Sequence, residues 1–222
     1  MIRGLEVLCI LALLSLPVTA DELEPSVQDL GNGRYRIGAI EIDKEAQRFT
    51  VTGTVILLAK DMPVEFLAIV RDGQKSYEAL LELDVTAVEF NLACILIGLN
   101  SDNASRPMHH FDPTIVEGDI VDLQVSWVRD GEKQTYEIER LLRDTADPKD
   151  HVWVYTGSYF AQDGTYAASM SGNLIGFVHD PDSIIQHQKG LGLGDYGAIT
   201  FDPDVMPSDL TKVTVTVSRS PE

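Results

Sequence analysis

The chain has 222 residues, of which 35 are Asp or Glu and 17 are Lys or Arg, for a formal net charge of −18. A surface of that sign repels phosphate backbones and excludes nucleic acid as an expected partner. Cysteine is scarce, at Cys9 and Cys94 only, and Cys9 falls in a segment that reads as removable; a single remaining thiol excludes an internal disulfide, a cysteine-based zinc site and an iron–sulfur cluster.

Residues 1–20 read as a cleavable signal peptide. Arg3 supplies a short positive start, the run from Leu5 to Leu16 is apolar apart from Glu6 and Ser15, and Val18-Thr19-Ala20 sets small residues at −3 and −1 of a cut before Asp21. The apolar run is shorter than the roughly 20 residues that a membrane span takes. The expected product is periplasmic or secreted and does not span a membrane once cleaved; a retained N-terminal anchor helix is the alternative.

Residues 21–33 are polar, contain Pro25, Gly31 and Gly33, and are predicted to be a flexible leader. From Arg34 to Asp43 the apolar positions switch parity around Gly38, which reads as one strand with a bulge. Phe49, Val51, Gly53, Val55 and Leu57 then alternate with Thr50, Thr52, Thr54 and Ile56 in clean period-two patterning, after a turn over 43–48. The stretch from Val64 to Val70 is almost continuously apolar and predicts a buried strand, with a hairpin turn at Asp72-Gly73 and a return strand to Leu83. Thr86 and Glu89 have capping-box spacing, the run from Val88 to Leu99 is apolar on nearly every side, and Gly98 suits a helix end. The result should be a buried core helix near 87–98.

Alternation resumes at Val121, Leu123, Val125 and Trp127, turns at Asp130-Gly131, and returns through Tyr136 and Ile138. Residues 151–160, 165–170 and 174–179 are expected as a three-strand meander, and Val213, Val215 and Val217 close the chain. The near match of residues 70–75 with 128–133 suits two related halves, about 34–118 and 119–218; it equally suits convergence, because Asp-Gly fits any tight turn. The predicted fold is mainly β: an antiparallel β-sandwich or barrel-like sheet with one buried helix, as a single domain over 34–218.

Three stretches carry a family resemblance. Tyr77-Glu78-Ala79-Leu80-Leu81 with Val88-Glu89-Phe90-Asn91-Leu92-Ala93 and Leu96-Ile97-Gly98-Leu99, then Trp153-Val154-Tyr155-Thr156-Gly157-Ser158, then the run from Gly172 to Val178, resemble the corresponding segments of the YdjY-like family of exported bacterial proteins. The similarity spans roughly residues 31–190. It implies an exported, β-rich protein and supplies no activity. Some members are labelled ferredoxin-like; one thiol after cleavage cannot hold such a cluster.

Several residue sets invite a chemical reading. His109-His110-Phe111-Asp112 could join a distant His179 or His187 around zinc, or serve as a base with its orienting acid; neighbouring histidines on an extended segment point to opposite sides, and a polar loop is the plainer reading. Asp180-Pro181-Asp182 and Asp202-Pro203-Asp204 offer oxygen ligands suited to calcium but also start turns. Gly190, Gly192, Gly194 and Gly197 lack the strand–loop–helix setting of a phosphate cradle and suit a linker or lid. Cys94 lies among Leu92, Ile95 and Leu96 as a core thiol. Ser158 lacks the second glycine of a nucleophile elbow, and Asn103-Ala104-Ser105 is a formal glycosylation sequon.

No complete catalytic constellation emerges. The expected function is a non-catalytic, exported binding or interaction module for an unidentified protein or small ligand in the envelope, with Glu78, Trp153 and Ser158 as candidate binding residues and no cofactor. The alternative is a metal-assisted hydrolase built on His109, His110, Asp112 and His179, with zinc or calcium.

Overall fold

Alternating apolar residues pair into sheets because one face of each strand must leave water, and here the sheet closes on itself. The computed structural model describes residues 25–56, 64–143, 151–193 and 199–221. Three short strands come first, β1 (Val27–Gly31), β2 (Arg34–Ile37) and β3 (Ile40–Asp43), followed by β4 (Arg48–Val55), β5 (Phe66–Val70) and β6 (Ala79–Leu83). Helix α1 (Ala87–Leu96) precedes the long strand β7 (Asp119–Arg129) and its hairpin partner β8 (Glu132–Glu137). Then come β9 (Trp153–Tyr155), a short helix α2 (Ala167–Ser171), β10 (Asn173–Gly176), β11 (Ile185–His187) and β12 (Lys212–Arg219).

Eight strands close a barrel in the order β4-β12-β7-β9-β11-β10-β5-β6, with β6 pairing back to β4. Closure removes the exposed edges that an open sheet would present. β1, β2 and β3 extend outward from β4, and β8 from β7. The pairs are antiparallel except β10–β11 and β5–β6, which are parallel; the predicted all-antiparallel arrangement gives way at these two. Inward residues of every barrel strand join one core, including Phe49, Val51, Leu81, Leu123, Trp153 and Val215.

Thr86 caps α1 as its spacing predicts. Its hydroxyl accepts from the Glu89 amide at 3.2 Å, and the Glu89 carboxylate accepts from the Thr86 amide at 2.8 Å. Phe90 meets Phe49 edge-on with centroids 5.3 Å apart, and Ala93 and Cys94 are fully buried beside it. The helix is nevertheless buried on one side only: Ile95 is 50% exposed and Val88 38%. A helix laid over a barrel has one face against it, so the outward apolar residues stay open to water. Burial pushes the Cys94 thiol well up, which keeps it protonated and unreactive.

Four expectations about elements change. Residues 34–43 form two strands, not one bulged strand, because Gly38 takes φ +52 and Ile37 pairs with Ile40 across a two-residue turn. Val27–Gly31, expected within a loose leader, pairs with β2 as an edge strand. The middle strand of the predicted meander is instead α2, which ends at Gly172 with φ +80. Asp72-Gly73 does not make a hairpin, since β5 and β6 run parallel, whereas Asp130-Gly131 does, with φ +53 and +83 between the antiparallel β7 and β8. The two matching hexapeptides thus occupy different topologies. The signal segment 1–20 lies outside the described residues, as do Gly194 and Gly197. Among the described residues no helix is long and apolar enough to cross a membrane.

Candidate functional site

The chain leaving β9 turns sharply. Gly157 and Ser158 both sit in the left-handed region, at φ +75 and +55, where a side-chain-bearing residue is strained. A Cβ on Gly157 would come within 2.8 Å of the Ser101 hydroxyl, so glycine allows this turn to press against the loop after α1. A buried polar chain holds the turn from behind. The Thr156 and Gly157 amides donate to the Ile184 carbonyl at 2.9 and 3.0 Å, and the Gln186 amide nitrogen donates to the Thr156 hydroxyl at 3.0 Å. From just before α2, the Tyr166 hydroxyl donates to the Gly157 carbonyl at 2.9 Å.

This turn forms one wall of an open cleft of about 740 Å3, whose other walls are the outer face of α1 and residues 98–106, within the size range of small-ligand sites. The Tyr155 hydroxyl donates to the Asn91 side-chain oxygen at 2.7 Å, which orients that amide on the helix surface. Burial pushes the Tyr155 phenol up, so it acts as a neutral donor. Asn100 and Asp102 lock the facing loop: the Asp102 amide donates to the Asn100 side-chain oxygen at 2.7 Å, and the Asn100 amide donates to the Asp119 carboxylate at 2.9 Å. At the mouth, Phe160 is 71% exposed, with Tyr159 and Ile95 beside the same opening. Ser158 is buried in the wall.

The three binding candidates from sequence do not converge. Ser158 lines the cleft. Trp153 is buried in the barrel, where its indole nitrogen donates to the Glu139 carboxylate at 2.6 Å; it borders a different groove of about 840 Å3 outside β7 and β8, shared with Tyr136, Glu139 and Arg140. Burial raises the pKa of Glu139 from its ordinary value. Glu78 lies in a single 3-10 turn before β6, buried and paired with Lys75 at 3.1 Å. Sequence reasoning missed Asn91, Tyr159 and Phe160; the last two follow Ser158 directly, but their exposure depends on a turn whose supports come from the start of α2 and from β11.

The four metal candidates serve separate purposes. His179 is buried, with Nδ1 2.6 Å from the Asp112 carbonyl and Nε2 3.0 Å from the His187 carbonyl, so both ring nitrogens are taken by backbone. Asp112 accepts from the Met108 and Thr114 amides at 2.8 and 2.9 Å, and these bonds, that to Met108 foremost, hold its carboxyl down at about 2. His110 lies between two carboxylates, 3.0 Å from Glu65 and 3.0 Å from Asp180, and these hydrogen bonds, that to Asp180 first, raise its pKa to about 9. His109 is exposed, its Nδ1 3.0 Å from the neighbouring carbonyl of His110. Among the described residues no group of three or more His, Cys, Asp or Glu is placed to hold a metal ion. In both Asp-Pro-Asp segments the first carboxylate accepts from the amide two residues on, at 2.9 and 3.0 Å, as a turn.

No curated protein and no solved structure shows significant similarity to this chain. A family model does match, over residues 40–218, from β3 to the end of the barrel. That span covers most of the chain and includes β12, beyond the reach of the motifs read from sequence, and it makes the protein a member of the YdjY domain family.

Proposed function

We propose that this protein is an exported, non-catalytic binding module, and that its ligand occupies the cleft between α1 and the Gly157-Ser158 turn. One observation carries the reading: a rigidly braced turn places exposed aromatic side chains, Phe160 and Tyr159, over a polar floor that includes Asn91 and Ser101. Exposed aromatics beside convergent hydrogen-bonding groups characterise ligand sites rather than plain surface. The cleft holds no histidine and no nucleophile–base pair among its described residues, so what it offers is recognition rather than bond cleavage. His110 has both ring nitrogens engaged by carboxylates, which suits a structural clasp and leaves no nitrogen to act as a base.

Export rests on the signal-like pattern of residues 1–20. A thermal-shift screen of the mature chain against small molecules tests the binding reading. Hits are expected to raise the melting temperature of the parent protein and to lose most of that effect in Phe160→Ala. Hits that stabilise both proteins equally contradict the placement, and turnover of a hit contradicts the non-catalytic reading.

A further inference from the structure

We infer that the ligand of this cleft is a neutral oligosaccharide, an inference that rests on reading the cleft as the binding site. The first argument is charge. The lining carries one carboxylate, Asp102, and one guanidinium, Arg106, which offset each other, while the remaining polar groups are amides and hydroxyls. An anionic ligand would also approach against a chain of net charge −18.

The second argument is the pairing of flat apolar surfaces with two-way hydrogen bonding. Phe160 is held by an antiparallel bridge to Tyr166 and rests on its ring, with centroids 5.1 Å apart. One side of the ring is therefore braced although the residue is 71% exposed. Aromatic faces carry negative charge density and attract the weakly positive C–H groups of a sugar face. A purely apolar ligand would stack there but would leave the Asn91 side-chain nitrogen desolvated without a partner. Sugar hydroxyls both donate and accept and so match the Asn91 amide, whose oxygen is already held by Tyr155 and whose nitrogen is donated to no described residue.

The third argument is preorganisation. The protein's own hydrogen bonds pin both walls, through the Asp102-to-Asn100 turn on one side and through Thr156, Gln186 and Tyr166 on the other. Little ordering is left for a weakly binding, flexible ligand to drive.

Titration calorimetry of the mature chain with chitotriose, cellotriose, maltotriose, mannotriose, galactotriose and xylotriose tests this, with benzoate, choline and indole as anionic, cationic and apolar comparisons. Saturable binding of at least one trisaccharide is expected. Phe160→Ala should weaken it about tenfold or more, while Phe160→Tyr, which keeps the aromatic face, retains it. Raising NaCl from about 0.05 to about 0.5 M should change the affinity less than about twofold, because no ion pair is being screened. Binding of benzoate, choline or indole in a Phe160-dependent manner, with no trisaccharide bound, overturns the sugar inference and leaves the cleft reading standing. A trisaccharide bound equally well by Phe160→Ala overturns the placement, and no binding by any of the nine probes overturns both.

Discussion

His110 shows what a single side chain contributes here. Its imidazole bridges Glu65 at the start of β5 and Asp180 after β10, and its ring stacks at 6.4 Å on Phe66, so it ties the 101–118 loop to two barrel strands. Lys75, close to Glu65 and over the Phe66 ring at 5.7 Å, is a second cation at this end. The two carboxylates raise the His110 pKa from 6.5 to about 9, so the native state holds this proton more tightly than the unfolded chain does. The clasp therefore contributes its full stability below pH 6.5 and loses it as pH rises through about 9. Melting temperatures of the parent protein should fall across that window, and His110→Gln should flatten this part of the profile; an equal fall in both proteins contradicts the assignment. The carboxylate partners of His110 could not be read from the sequence, because Asp180 lies 70 residues away and meets it only after β10 is paired. The Thr86–Glu89 capping box was legible because three residues of spacing contain all of its chemistry.

The same logic separates the elements that could be anticipated from those that could not. Period-two alternation located β4, β7 and β12 because each has one face in the core and one outside. Turn chemistry was less decisive. The matching hexapeptides at 70–75 and 128–133 have Asp72 and Asp130 in nearly the same left-handed conformation, φ +58 and +53, yet only the second closes a hairpin. The first leads through a 3-10 turn to a strand parallel to β5, because barrel closure requires β6 to lie between β5 and β4. Local sequence specifies the bend, and long-range pairing decides where the chain goes next. In the true hairpin, a Cβ added to Gly131 at φ +83 would meet nothing within 4 Å, so the cost of Gly131→Ala is conformational alone. That substitution should destabilise the protein by about 1–2 kcal/mol, measured by urea unfolding; no change would show that the β7–β8 turn relaxes to another type.

At the scale of the whole molecule, the barrel explains both the stability and the placement of the cleft. β12, the last strand, is flanked by β4 and β7 with regular antiparallel registers on both sides, so it completes the ring. With the barrel closed, α1 can cover it with one face only, and its outer face, Asn91 and Ile95, becomes a wall of the cleft. The barrel-like class, the helix and Ser158 were all accessible from the sequence; their assembly into a cleft was not, since Asn91, Ser101 and Phe160 come from three separate segments joined by tertiary contact. Amide chemical-shift mapping of the protein during titration with bound ligands from the thermal-shift screen tests the binding-module reading most directly. Shifts concentrated at residues 91–102 and 155–160 are predicted, with the groove beside Trp153 and the His110 clasp unmoved; shifts confined to that groove or to the clasp, with the cleft silent, would contradict it.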